Sequence, residues 1–201
     1  YVKNKVAENL LVAGLFILIL VDLAGVGKRY VNDDNFVASR MVDIPFQPNG
    51  ADQQILQDKG HYRVLDLSGS PLNSARASYF HQSLGGYHGA KPRRMQDLFD
   101  FHIYNGNQAV LNMLNVRYNI INNEGNLFPQ RNPFANGPAW FVDSLRVVQN
   151  DNEAILALND LNTKETAIIQ PEFAREVSSM TFQQDSTATI QLKSYQPNEL
   201  K

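Results

Sequence analysis

Residues 78–102, SYFHQSLGGYHGAKPRRMQDLFDFH, concentrate the side chains most able to do chemistry in this chain. Tyr79, Tyr87 and His88 are flat rings with polar tips, the type that meets sugar faces. Lys91, Arg93 and Arg94 are cations able to hold a phosphate or carboxylate, and His81 adds a group that can donate or accept. Pro92 suits the first turn of a helix, where its missing N–H costs nothing. Arg93 and Arg94 then fall at a helix N-terminus, whose partial positive charge opposes them by about 0.3–1 kcal/mol each. Cations placed against that gradient, beside exposed backbone N–H groups, suit an anion contact. Taken alone, these residues favour a plainer reading: Arg93 pairs with Asp97 at i,i+4 and Arg94 with Asp97 at i,i+3, for about 0.2–0.5 kcal/mol per pair on a solvated face.

Other chemistries find less support. His81, His88 and His102 have no metal-ligand spacing and no cysteine or carboxylate cluster beside them, so no metal or other cofactor is expected. Independent hydrolysis would need a nucleophile–base set or paired carboxylates in one cleft. Asp97 and Asp100 share a helix and suit arginine pairing or solvent better, and Ser68-Gly69-Ser70 leads into a proline turn rather than a nucleophile elbow. No catalytic residue is assigned. A net charge of −2 over 201 residues gives no electrostatic case for nucleic acid. Zero cysteines removes disulfides and thiol chemistry without fixing the compartment.

The elements that must carry this block begin with residues 10–27, LLVAGLFILILVDLAGVG, eighteen residues interrupted by one charge, Asp22. That length meets the threshold for a membrane span. A signal-peptide apolar region and a buried helix of a soluble domain fit the same pattern. Lys28 and Arg29 directly after it suit a helix end, and Asp22 suits a face turned toward other helices, so the last spanning helix of a multi-spanning protein is the favoured reading. Tyr1 in place of an initiator Met points to a piece of a longer chain.

Residues 30–50, with Pro45 and Pro48, read as an extended lead-in. A short helix follows over 51–58, capped by Asn49, and then a strand over 62–67. Helical spacing of Met95, Leu98, Phe99 and His102 predicts a helix over 92–104 with that face in a core. A second short helix covers 108–114 and a strand 116–122. Residues 124–138, rich in Asn, Gly and Pro, read as loop. A strand over 139–148 is expected beside the 116–122 strand, then a helix over 151–159 and a strand over 165–170. Strict alternation over 187–195 predicts a strand with one wet face, whose partner lies beyond Lys201, since an open edge is a liability.

The expected fold is α+β: a small mixed β-sheet with helices on one face, preceded by a transmembrane-like apolar helix and followed by the first strand of a truncated β-sandwich. The expected division is 1–29 (apolar helix), 30–180 (α+β domain) and 181–201 (start of a β-rich segment).

The phrases VDLAGVGKRYVNDDNF, SLGGYHGAKPRRMQDLFDFHI, VLNMLNVRYNII, AWFVDSLRVV and QLKSYQPNEL, in that order, resemble the YfhO-like family of bacterial multi-spanning membrane proteins, in its Bacteroidetes form. The resemblance runs along nearly the whole chain, although none of these phrases is a chemical signature. It implies a C-type glycosyltransferase-like membrane core that takes sugar from a polyprenyl-phosphate carrier outside the bacterial inner membrane. This chain would then be the last span and the region behind it, facing the periplasm. The family's catalytic acid lies in an early loop with no counterpart here, so no catalytic residue carries over. Only residues 85–97 match as a contact surface. Pro92 departs from the family's helix-compatible position, and a proline there either confines the helix start to that turn or kinks it.

Two functions follow as expectations. The region helps hold a cell-envelope acceptor glycan, or the carrier's phosphate, through Tyr79, His81, Tyr87, His88, Lys91, Arg93 and Arg94. Alternatively it is a structural domain that packs on the rest of the parent membrane protein and has no ligand of its own.

Overall fold

The computed structural model describes residues 7–177, 179–183, 185 and 187–201. The chain divides into a leading unit that ends at Gln47 and a second unit, Pro48–Lys201.

In the leading unit, helix α1 (Glu8–Tyr30) contains the expected apolar run and buries none of its residues. Its 23 residues at about 1.5 Å each extend about 35 Å, enough for a hydrocarbon core of about 30 Å. It is the one helix among the described residues long and apolar enough to cross a membrane. Glu8 begins it and Lys28 and Arg29 end it, each sign matching the helix dipole. Beyond it, Asn32 caps a single 3-10 turn, Asp33–Asn35, by accepting from the Asp34 N–H. A short helix α2 (Ser39–Asp43) then breaks the otherwise extended lead-in.

The second unit opens with α3 (Gly50–Ile55). Asn49 caps it as expected: its side chain accepts from the Asp52 N–H while Asp52 accepts from the Asn49 N–H, a reciprocal capping box. β1 (Arg63–Asp66) follows, then α4 (Arg76–Phe80) and α5 (Arg93–Leu98), which runs into a π-helical turn over Phe99–Ile103. The Tyr104 N–H reaching the Phe99 carbonyl at 3.0 Å marks that wider turn. Next come α6 (Gln108–Met113), β2 (Val116–Asn123) and β3 (Asn126–Arg131). The chain continues through β4 (Ser144–Val147), α7 (Asp151–Ala157), β5 (Thr166–Ile169) and α8 (Pro171–Ala174). It closes with the two-residue strands β6 (Tyr195–Gln196) and β7 (Glu199–Leu200).

The architecture is α+β with small mixed sheets. β1 pairs parallel with β2, and β2 pairs antiparallel with β3. The other edge of β1 is also used, because the Val64 N–H donates to Gln82 and the Leu84 N–H donates to Val64. Successive strand residues point to opposite faces, so Val64 and Leu65 enter different cores. Val64 meets Ala51 and Ile55 of α3 with Tyr62 and Ile120. Leu65 meets Phe99 and Ile103 of the π turn, Val110 and Leu111 of α6, and Leu158 and Leu161. Helices therefore cover both faces of this sheet rather than the one face expected, because consecutive β1 residues feed separate cores. A bulge between Arg63 and Val64 opposes two β2 steps to one on β1, which turns Val116 toward the Leu65 side and Ile120 toward the Val64 side.

Three further expectations are corrected. The strand over 139–148 shrinks to β4, and its partner is β5, in parallel, rather than β2. β2 has no edge left for it, being held by β1 on one side and β3 on the other. Within the expected loop over 124–138 lies β3, joined to β2 by a tight turn in which Glu124 and Gly125 both have positive φ (52° and 86°). Such a two-residue turn matches the twist of a hairpin, and Pro129 is tolerated because β3 is an edge strand. The strand over 187–195, read as the start of a sandwich, contributes only Tyr195, which pairs with Leu200 in the closing hairpin. Lys193 and Ser194 add backbone hydrogen bonds to Lys201 beside that hairpin, but alternation by itself supplies no partner strand.

Candidate functional site

The sequence-predicted block divides when the chain folds. His81 closes α4 and its side chain is 3% exposed, with Nε2 2.9 Å from Asp52 Oδ1. Tyr87 and His88 lie on the exposed loop before α5, Tyr87 at 75% exposure. Tyr79 is half exposed and meets the Phe80 ring edge-on at 5.0 Å. Lys91 donates from Nζ to Gln96 Oε1 at 2.9 Å. Pro92 stands just before α5 rather than inside it, and its carbonyl accepts from the Met95 and Gln96 N–H groups. Arg93 Nε donates to Asp97 Oδ1 at 2.8 Å, and the hydrogen bond and charge of Asp97 push the Arg93 pKa up. Arg94 lies 3.6 Å from Asp151, at the start of α7, rather than pairing with Asp97. The two arginines thus engage different carboxylates on exposed surface.

Folding also assembles a polar cluster that no spacing announces. Asp52 on α3 is fully buried and receives both oxygens' partners from elsewhere in the chain. The Arg76 guanidinium forms an ion pair with it, the Asn49 N–H donates at 2.8 Å and His81 adds its ring nitrogen. Burial pushes the Asp52 pKa up, but the hydrogen bonds from Arg76, Asn49 and His81 and the Arg76 charge outweigh it, so the carboxyl stays below its usual value. Arg76 also lies 5.3 Å above the Phe80 ring. It walls a small cavity of about 80 Å³ that includes Ser68, Ser70 and Ser74.

A second cluster ties the other end of α3 to the sheet. Asp58 accepts from the Gly60 N–H at 2.9 Å, from Arg117 at 3.1 Å and from the Tyr118 hydroxyl at 3.1 Å. The Gly60 hydrogen bond leads in holding the Asp58 carboxyl low; burial opposes it, and Arg117 and Tyr118 add to the lowering. The Tyr62 hydroxyl lies within 2.9 Å of the Ile55 and Asp58 carbonyls, and Arg117 sits over its ring at 4.7 Å. Burial, with the nearby Asp58 charge, pushes the Tyr62 pKa up to about 12.

His102, read as core, is 1% exposed and fully engaged. Its Nε2 lies 2.7 Å from the Ile155 carbonyl and its Nδ1 3.1 Å from Asn107 Nδ2. An amide N–H₂ only donates, so Nδ1 accepts and Nε2 carries the proton. Asn107 donates further to the Leu158 carbonyl at 3.0 Å and caps α6 through its oxygen. One histidine and one asparagine therefore satisfy carbonyls at the end of α7 that the helix leaves open.

An open groove of about 470 Å³ lies beside the β2–β3 turn. Asn49, Gln54 and Asn126 supply amides there and Phe128 an aromatic face; all four lie outside the predicted block. Among the described residues no group of three His, Asp or Glu is arranged to hold a metal ion. No family model matches the chain, and neither a curated protein nor a solved structure matches it.

Proposed function

We propose that this chain is the last spanning helix and periplasmic accessory region of a bacterial inner-membrane protein of the YfhO-like type. The parent would be a C-type glycosyltransferase-like protein using a polyprenyl-phosphate-linked sugar, and this region would hold acceptor glycan or carrier phosphate. The observation that supports it is α1: a helix of spanning length whose apolar side chains are exposed among the described residues, followed by a polar folded unit. Exposure of Tyr79, Tyr87 and His88, with Lys91, Arg93 and Arg94 following in the chain, fits a surface for a phosphorylated sugar. No catalytic role is proposed for any residue here.

A specific observation favours the second reading, a structural domain without a ligand. Arg93 and Arg94 already engage Asp97 and Asp151, and His81 is locked against Asp52. The two readings separate by experiment. The isotope-labelled full chain in nanodiscs is titrated with phosphorylated glycans while amide resonances are followed. Saturable shifts confined to residues 79–97, weakened several-fold in Arg93→Ala/Arg94→Ala, support the ligand-holding reading. An unmoved spectrum at millimolar ligand overturns it in favour of the structural one. Because the chain has no cysteine, a single cysteine at Ser70 also reports topology. Labelling of intact cells by an outer-membrane-permeant, inner-membrane-impermeant maleimide is expected; labelling only after inner-membrane permeabilisation overturns the periplasmic placement.

A further inference from the structure

Residues 30–44 carry a density of exposed apolar side chains that an aqueous lead-in does not explain. Tyr30 is 77% exposed, Phe36 71%, Val42 66% and Met41 61%, and Val37 and Ile44 are also about half exposed. Two polar devices punctuate the segment. At the end of α1 the Val31 N–H returns to the Gly27 carbonyl, and the Asn32 amide reaches the Lys28 carbonyl at 3.4 Å. The turn Asp33–Asn35 then closes on itself, with the Asn32 N–H donating to Asn35 Oδ1 at 2.9 Å. The backbone of residues 31–36 is thus closed locally into a compact turn after α1. In α2, successive residues turn by about 100°. Ser39 and Asp43 consequently share one side, with Ser39 Oγ 3.5 Å from Asp43 Oδ2; Met41 points away from them, and Arg40 and Val42 flank that side.

We propose that residues 30–44 lie in the headgroup–acyl boundary of a phospholipid bilayer, as an interfacial belt that continues the surface of α1. The occupant is lipid because the apolar surface is continuous in sequence with α1. It opens on an aromatic, Tyr30, next to Lys28 and Arg29, the anchors of a membrane–water interface. Phe36, Val37, Met41 and Val42 enter the acyl edge, while Asp33, Asp34 and Asp43 stay in water and Arg40 faces phosphate. The proposal rests on the reading of α1 as a membrane span.

Single cysteines at Val37, Met41 and Val42 are nitroxide-labelled in the full chain, reconstituted in nanodiscs of phosphatidylcholine with a minority of phosphatidylglycerol. Leu18→Cys serves as the reference within the span and Ser39→Cys as the reference facing water. Power saturation then compares collision with oxygen, which prefers lipid, against a nickel chelate, which prefers water. Oxygen should win several-fold at Val37, Met41 and Val42, less than at Leu18, and the preference should reverse at Ser39. If Leu18 is deep while Val37, Met41 and Val42 behave like Ser39, the span stands and the belt is overturned. If those labels are shielded from both reagents, a protein surface covers the segment, whether a partner or a second copy, and the lipid assignment fails. If Leu18 itself prefers the nickel chelate, the span and the belt fall together.

Discussion

His81 Nε2 lies 2.9 Å from Asp52 Oδ1, across 29 residues of chain, with the histidine side chain almost sealed from water and the aspartate wholly so. A residue whose neighbours in sequence suggest a ligand surface is therefore part of a strut between α3 and α4. Arg76 completes it from the first turn of α4. The strut places α4, and with it the start of the loop that presents Tyr87 and His88.

Removing one member should be costly. Arg76→Ala leaves Asp52 buried with a charge that Asn49 and His81 alone must offset, and losing one partner of a buried ion pair typically costs about 3–5 kcal/mol. Urea denaturation of the Arg76→Ala chain should show a midpoint lowered accordingly. A loss under about 1 kcal/mol would mean that the pair is not formed in solution.

Stability should fall on both the acid and the strongly alkaline side. Asp52 and Asp58 have folded pKa values below their usual 3.8. Between folded and unfolded values the unfolded chain binds more protons, so their contribution is present above about pH 4 and is lost as pH falls through the folded values. Tyr62 is raised from 10.0 to about 12. Its neutral form is the one folding favours, so its contribution is complete below pH 10 and is lost as pH rises toward 12. Denaturation midpoints measured across this range should form a plateau, and Asp58→Asn should flatten the acid limb. An acid limb unchanged by that substitution would contradict the role given to Asp58.

Gly85 and Gly89 should answer alanine differently. A Cβ on Gly85 would stand 2.2 Å from the Pro71 carbonyl oxygen, which also accepts the Gly86 N–H at 2.7 Å. Backbone must move to admit it, and overpacking of this kind costs typically about 1–3 kcal/mol. A Cβ on Gly89 meets nothing within 4 Å. Thermal melts should separate the two variants clearly; equal melting temperatures would argue against the close approach.

Asn107→Ala should destabilise more than the loss of an ordinary cap. An N-cap residue is worth about 0.5–2 kcal/mol. Here the same side chain also donates to His102 and Leu158, both of which would lose a partner. The expected loss lies at or above the top of that range by chemical denaturation. Hydrogen exchange should rise at the start of α6 and around the end of α7 together; a change at α6 alone would reduce Asn107 to a simple cap.

Much of the chain's local structure was legible before folding was considered. The apolar run of α1, the Asn49 cap of α3 and the short strand β1 follow from composition and spacing that act within a few residues. Helical spacing likewise placed Phe99 and His102 in the core, where both are buried. Residues 126–131 were hidden because an Asn- and Pro-containing stretch resembles loop, and only pairing with β2 makes an edge strand of it. Residues 187–195 misled in the opposite sense, because alternation describes a strand's faces and not its neighbours. Of the candidate site, the Arg93–Asp97 pair was legible because both residues share one helix. Arg94 was half legible, as it looks to Asp151 on another helix.

Sequence alone determined where this chain is apolar, where its helices can begin and which cations stand near Pro92, since those depend on neighbours within about one turn. Tertiary structure alone decided that His81 turns inward to Asp52, that Arg117 and Tyr118 gather on Asp58, and that β4 pairs with β5. Each of these joins groups far apart in the chain. Such contacts form only when burial of the two cores brings the elements together, and no short-range pattern encodes which distant partner a buried charge will meet.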